Sequence, residues 1–345
     1  MNVLTALDRK ADYSKTQLQL IVAAWVMSRL VERARPISLT DGDISENDYE
    51  KTSVYSLLYA LYRSMGEVPS ASGVPYEFTF NTWGHTWPKS WGPCPNEPGD
   101  PQLYGKNAYA GLFHFDAAKR YVEERQGRVH VVEMGCGTGA GAAEVCSNVL
   151  PKCTYEAVDM QEAAIQTCRR KFVPRLGGRL VATCADATLL SREDGVADFI
   201  AVNETHVTEH AGQCTDEDQR FFRTAHRLLK PGGFLVWGNA IPDSTWKPCL
   251  DFLDSIGMKL QEACDVTKEA VHARDADRPR IDRYVEQCFD SFYGFRIPYV
   301  GKIKRREADL AIKNLSRNPG TRLYKNMVDD TDSYKVVLVQ KVSDA

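Results

Sequence analysis

The nine residues Val131–Gly139, VVEMGCGTG, constrain this chain more than any other stretch of its 345 residues. A short apolar run reaches a carboxylate, Glu133, and then glycine recurs at every second position: Gly135, Gly137, Gly139. An apolar run of this length bounded by glycines reads as a buried strand, and the alanine-rich stretch behind it as a helix. Glycines at the joint let the chain turn tightly and bring bare backbone N–H groups against a ligand at the helix N-terminus.

From about residue 115 the texture fits that unit. Strand patterns at Val129–Met134, Tyr155–Asp159, Arg179–Ala185, Ala197–Val202, Phe234–Asn239, Lys259–Asp265 and Lys335–Gln340 are interleaved with helical patterns. The helices read as Ala117–Glu124, Gly139–Val149, Ala163–Phe172, Asp216–Leu229 and Trp246–Ile256. Alternation of this kind predicts an α/β fold, a mostly parallel sheet with helices on both faces. Two regions stand outside it. Residues 1–115 carry apolar helical faces at Leu18–Val31, which suits a homodimer helix, and at Val54–Tyr62. They also carry a proline-broken stretch, Pro88–Pro101, beside Trp83, Trp87 and Trp91. A long loop in a compact protein is commonly a functional lid. Residues 267–332 form an insert with helical stretches Ile281–Phe289 and Arg305–Leu315. The expected division is an N-terminal helical and loop lid at 1–115, a core at 116–266, a cap insert at 267–332 and a last core strand at 333–345.

The glycine loop alone leaves its ligand open, because Gly135-x-Gly137-x-x-Ala140 also satisfies a dinucleotide-binding pattern. Its surroundings arbitrate. Glu133 at the strand end suits a cationic amino acid better than a pyrophosphate. Asp159 ends the next strand, where a carboxylate can accept both ribose hydroxyls. Asp186-Ala187 follows the third strand, where a carboxylate can take an adenine amino group. Leu228-Leu229-Lys230-Pro231-Gly232-Gly233-Phe234 joins a helix to a strand.

These residues resemble the class I S-adenosylmethionine (SAM)-dependent methyltransferases. Glu133–Gly139 matches their E/D-x-G-x-G-x-G motif, Asp159 their ribose carboxylate, Asp186 their third-strand acid, and Leu229–Gly233 their L-K-P-G-G turn. The resemblance covers about residues 115–265 and the terminal strand. It implies a Rossmann-like seven-stranded sheet whose last strand runs antiparallel, and SAM as cofactor. The SAM-binding set it implies is Glu133, Gly135, Gly137, Gly139, Asp159, Met160 (on the adenine), Asp186, Ala187 and Asn203.

Two further stretches are similar to the small-molecule branch acting on sterols, ubiquinone and sugar antibiotics. Glu204-Thr205 stands where that branch has E-S-x-x-H, with Thr for Ser and with Thr208 at the usual His position. Phe80–Trp87 is similar to its H-x-G-Y-W-type segment, whose aromatics close over SAM. Trp83, His85 and Tyr104 are the lid candidates, and aromatic rings attract a sulfonium.

Ligands of open α/β sheets bind beyond the carboxyl ends of the strands. The fourth strand ends in Asn203-Glu204-Thr205-His206-Val207-Thr208-Glu209-His210. His206 or His210 is the candidate base, with Glu204 positioning cofactor or acceptor. Four residues apart, the two histidines share one helix face. A structural pair or a chelating pair remain alternatives, but no third ligand is identified and no metal is expected. A histidine base favours an oxygen acceptor; carbon, nitrogen and sulfur stay open.

The net charge of −3, without a basic stripe, argues against a nucleic-acid partner. The run Lys302, Lys304, Arg305, Arg306 reads as a solvated helix face. The fourth strand lacks the Asn/Asp-Pro-Pro-Tyr/Phe run of enzymes that methylate amino groups of DNA bases or glutamine. A small-molecule acceptor in an enclosed pocket is the expected partner. Ten cysteines without a CxxC pair fit reduced thiols. No leader or membrane-spanning run is visible, so a cytoplasmic protein without a membrane partner is expected. The rival classes are an NAD-dependent oxidoreductase and a non-catalytic SAM-binding protein.

Overall fold

The computed structural model describes residues 67–69, 75–77, 80, 82–205, 212–293 and 322–342. Seven strands form one sheet: β1 (His130–Met134), β2 (Thr154–Asp159), β3 (Leu180–Cys184), β4 (Ala197–Asn203), β5 (Leu229–Pro242), β6 (Met258–Asp265) and β7 (Asp332–Lys341). Their order is β3-β2-β1-β4-β5-β7-β6. The first five run parallel, and β7 lies antiparallel to both β5 and β6. The alternation predicted a mostly parallel α/β sheet, and the family resemblance implied this seven-stranded Rossmann-like form with its antiparallel last strand. A separate antiparallel pair, Glu67–Pro69 with Pro75–Glu77, precedes it.

The central strands are buried on both faces, as in parallel sheets, whereas the edge strands β3 and β6 expose residues such as Val181 and Leu260. All seven residues of β4, ADFIAVN, are buried. Side chains alternate between two cores. One contains Val131, Tyr155, Phe199, Val236 and Tyr334 with helices α1 (Leu103–Leu112), α2 (Asp116–Glu124), α4 (Glu162–Lys171), the short α5 (Val173–Leu176) and α8 (Thr267–Tyr293). The other contains Val132, Met134, Ile200, Val202 and Trp237 with α6 (Asp216–Leu228) and α7 (Asp243–Ser255). Period two puts Glu133 and Asn203 on the α1 side of the sheet.

Several elements differ from their sequence patterns. The expected helix Gly139–Val149 is a short α3 (Ala140–Glu144) followed by a wider π-helical turn, Val145–Val149. Gly139 stays outside it with φ +81°. β5 begins five residues before the expected Phe234, because Leu229 pairs with Ala197 ahead of a register shift. The helix expected at Ile281–Phe289 begins at Thr267 and passes through Pro279. α1 had no counterpart in the sequence reading. Gly105 and all residues from Asn107 to Leu112 are buried, so it shows no alternation of wet and dry faces to detect. The segments Leu18–Val31, Val54–Tyr62 and Arg305–Leu315 and the basic run 302–306 lie outside the described residues. No described helix is long and apolar enough to cross a membrane.

Candidate active site

The carboxyl ends of β1, β2 and β4 meet at the glycine loop. The loop is folded onto β2 by Gly135 and Cys136, whose N–H groups both donate to the Val158 carbonyl, at 2.8 and 2.9 Å. Gly135 has φ +90°, and a Cβ there would lie 2.0 Å from Thr205 Cγ2. Only glycine tolerates both the backbone and that contact. Thr205 closes the joint from the other side, its hydroxyl donating to the Gly135 carbonyl at 3.0 Å.

Asp159 organises the loop from β2. One carboxylate oxygen accepts from Gly137 N at 2.8 Å and the other from Gln161 N at 2.8 Å. Burial pushes its pKa up to about 6, against the pull of those two N–H groups. Beyond it, Met160 is 53% exposed, an uncovered apolar side chain at the strand end. The Asp186 carboxylate accepts from Thr188 N and Thr188 Oγ1, both at 2.8 Å, and caps the 3-10 turn that begins at Ala187. Asp159, Met160, Asp186 and Ala187 thus line one open edge.

Under the loop lies a buried polar chain. Glu133 is fully buried and takes a hydrogen bond from Tyr155 Oη at 3.1 Å on Oε2. Burial raises its pKa to about 7; the hydroxyls of Tyr109 and Tyr155 pull it down and Asp159 pushes it up. Asn203 Oδ1 accepts from Tyr334 Oη at 3.1 Å. That bond spans β5, where Gly238 sits between; a Cβ there would lie 3.2 Å from Asn203 Oδ1 and 3.1 Å from Leu112 Cδ2. Within this polar network, the acceptor Glu133 Oε1 and the donor Asn203 Nδ2 have no hydrogen-bond partner among the described residues. A buried polar atom without a partner costs about 1–3 kcal/mol, which makes the two candidate contacts for a ligand.

The N-terminal strap crosses the end of β4. Glu204 accepts from Trp83 N at 2.7 and 2.9 Å and from the Thr82 hydroxyl. It does so from the left-handed region, φ +52°, which is uncommon for a non-glycine residue and marks a held conformation. His85 N donates to the Tyr104 carbonyl at 3.3 Å, Thr86 N to Glu269 O at 3.1 Å, and Asn107 Nδ2 to His85 O at 3.1 Å. The strap is therefore stitched to β4, α1 and α8 at once. Trp83 is buried. Trp91 stacks on His114 at 4.4 Å, with Trp87 edge-on to both. Burial lowers the His85 pKa to about 4, so its ring is neutral at physiological pH.

Of the sequence candidates, the structure brings together Glu133, Gly135, Gly137, Gly139, Asp159, Asn203 and Glu204, with Trp83 and Tyr104 joined to them through the strap. Met160, Asp186 and Ala187 stand at the open edge. His206 and His210 lie outside the described residues. Among the described residues, no group of three or more His, Cys, Asp or Glu side chains is placed to hold a metal. Sequence reasoning missed Tyr109, Thr205 as the wedge against Gly135, and Tyr334. The available signal was a small residue opposite a bulky one, Gly141 for Tyr109, which a linear reading does not pair.

Comparison with known proteins places this geometry. Residues 131–233 match the family described as methyltransferase domain. The phthiotriol/phenolphthiotriol dimycocerosates methyltransferase of Mycobacterium tuberculosis (strain H37Rv) is 27% identical over 137 residues, 40% of this chain and 46% of that protein. The fatty-acid O-methyltransferase of Mycolicibacterium smegmatis is 30% identical over 132 residues, 38% of this chain and 43% of that protein. Each match spans less than half the relative's length. Among solved structures, the [4+2]-cyclase SpnF shares the fold at a TM-score of 0.53 and 16% identity, over 85% of this chain and 95% of that one. Residues 131–233 are thus similar to a methyltransferase domain, and the seven-stranded unit that contains them has the Rossmann-like methyltransferase fold.

Proposed function

We propose that this protein transfers a methyl group from SAM to a small, largely apolar acceptor, with an oxygen nucleophile as the first choice. The observation that carries the reading is the unpartnered pair Glu133 Oε1 and Asn203 Nδ2 beneath the glycine loop. An α-amino acid end offers what that pair lacks: an ammonium for the buried acceptor and a carboxylate for the buried donor. A dinucleotide pyrophosphate offers only acceptors and would set negative charge against Glu133. Gly135, Gly137 and Gly139 give the backbone close approach, Asp159 holds the ribose, and Met160, Asp186 and Ala187 border the adenine.

SAM supplies an activated methyl on a sulfonium whose leaving group departs neutral. The protein's part is alignment, exclusion of water, and removal of a proton where the acceptor carries one. Alignment of this kind is worth about 7–11 kcal/mol of barrier. Glu204 and the strap it holds wall the site, and Trp83 lies at the end of β4 where an acceptor approaches. His206 or His210 is the proposed base, a contribution of about 10²–10⁴-fold. Residues 1–115 act as the lid and 267–332 as the cap on the core at 116–266, closed by the strand from 333.

An oxygen acceptor draws support from the fatty-acid O-methyltransferase relative, and an apolar one from the tryptophan-lined strap. Fold alone does not choose the reaction, since a cyclase shares it. The test is transfer of label from methyl-tritiated SAM to a panel of fatty acids, long-chain alcohols and phenols, with amines and thiols as controls. Label in an ester or ether supports the reading. Label confined to amines or thiols replaces the oxygen acceptor, and none anywhere removes the transferase assignment.

A further inference from the structure

We propose that Tyr109 is a positioning residue whose hydroxyl acts on the Glu133 carboxylate and thereby governs how available that carboxylate is to the ammonium end of the cofactor. The inference rests on the cofactor reading above and assigns a role to a side chain outside the glycine motif.

The geometry begins with α1. Tyr109 is buried, and its ring lies directly on α3. A Cβ on Gly141 would come within 1.9 Å of two of its ring carbons. The alanine-rich helix behind the glycine loop thus has its own glycine where Tyr109 lands. Phe80 closes the other side at a ring separation of 5.9 Å. So held, the hydroxyl faces both Glu133 and Asn203. It closes no well-formed hydrogen bond to Glu133 Oε1 or Asn203 Nδ2, which remain without partners. It stands where it can donate to one and accept from the other once a ligand draws the three together.

The electrostatics agree. A hydroxyl turned toward a carboxylate favours its charged form, and the hydroxyls of Tyr109 and Tyr155 both pull the Glu133 pKa down against burial. The other ionisable groups that bear on Glu133 are Asp159 from β2, Cys136 from the loop, Cys146 from the π-helical turn and Cys168 from α4. Burial raises the Cys136 and Cys168 thiols, and hydrogen bonding with Cys153 together with burial raises that of Cys146, so all three remain protonated; Asp159 is the carboxylate beside Glu133 that titrates near neutrality. Glu133, with a pKa of about 7, is half-ionised near neutral pH, where a modest change of environment alters binding most. α1 also provides the Tyr104 carbonyl and Asn107 that hold the strap, so one helix carries both the strap's anchor and the hydroxyl facing Glu133.

The test is Tyr109→Phe, which keeps the ring and removes the hydroxyl. S-adenosylhomocysteine (SAH) affinity is measured calorimetrically from pH 6 to 9. If losing the hydroxyl makes Glu133 about tenfold easier to protonate, SAH binding weakens about fivefold at pH 7 and recovers to within about 1.2-fold of wild type at pH 9. In parallel, pH-difference infrared spectra of the unliganded protein follow the carboxylic-acid band, with Glu133→Gln identifying it. The Glu133 midpoint is expected to move upward in Tyr109→Phe. An equal loss of affinity at every pH, or an unmoved Glu133 midpoint, overturns the proposal. Failure of the wild type to bind SAH at any pH sinks the cofactor reading itself, and this inference with it.

Discussion

The two halves of the site are built in opposite ways. The cofactor half, at the ends of β1 and β2, comes almost wholly from residues 133–160, and its key bonds link groups close in sequence: Asp159 to Gln161, and Asp159 to Gly137 only 22 positions away. The acceptor half gathers the strap at 82–87, the first turn of α1, Glu204 just beyond β4 and the first turn of α8. Its bonds join residues 121 apart, Trp83 to Glu204, and 183 apart, Thr86 to Glu269. Local chemistry fixes the first half. The second exists only because the sheet brings distant segments to one edge. Damage to the cofactor half should therefore abolish binding, whereas damage to the acceptor half should change turnover and acceptor affinity and leave the cofactor bound.

The largest expected effect is from Asp159→Ala. It removes the acceptor for Gly137 N and Gln161 N together with the ribose contact. SAH affinity should fall at least about a hundredfold, roughly 3 kcal/mol, by calorimetry. A loss under threefold would mean the glycine loop is shaped without β2, against the contrast drawn here.

Gly135→Ala comes next. Its methyl would meet Thr205 at 2.0 Å on a backbone of φ +90°, so it strikes the seam between the halves. A destabilisation of about 2–3 kcal/mol in denaturant melts is expected. Pairing it with Thr205→Ser, which removes the crowding methyl, should recover part of that loss.

Glu133→Gln separates binding from stability. The carboxyl has a pKa of about 7 in the folded chain against 4.5 ordinarily. Its neutral form is thus favoured by folding, and stability is lost as pH rises from 4.5 through 7. The variant should be more stable than wild type by about 3 kcal/mol at pH 8, with the difference gone at pH 4, while SAH binding collapses. His85, held near 4 against 6.5, loses stability in the opposite direction, as pH falls below 6.5, but does so equally in both proteins. Equal melting temperatures at pH 8 would show that Glu133 pays no burial penalty.

Glu204→Gln has the smallest effect and the one most specific to the acceptor half. It keeps the side chain's shape and weakens its grip on Trp83 N and Thr82. An acceptor KM raised about tenfold is expected, about 1.4 kcal/mol, with SAH affinity within twofold of wild type. A larger effect on SAH than on acceptor would place Glu204 in the cofactor half.

The same contrast explains what could be read in advance. The strands of the sheet and the 133–160 motif were legible, because each is written in a contiguous run with its own period or spacing; the antiparallel direction of the last strand came only from the family resemblance. α1 was not, since burial on all sides erases the alternation that marks a surface helix. Glu204 could be singled out by its place after β4, but its hold on the strap could not, because nothing in the sequence pairs position 204 with 82 and 83. Tyr109 and Tyr334 were invisible for the same reason: Tyr109 fits against Gly141 of another element, and Tyr334 bonds Asn203, 131 positions away.

The central claim is that Glu133, the glycine loop and Asp159 hold the amino acid and ribose of a sulfonium nucleoside. Its most direct test is a calorimetric titration of the wild-type protein at pH 8 with SAH and, separately, with NADH. The account predicts saturable one-to-one binding of SAH that Asp159→Ala abolishes, and no heat from NADH. Saturable heat from NADH with none from SAH would contradict it.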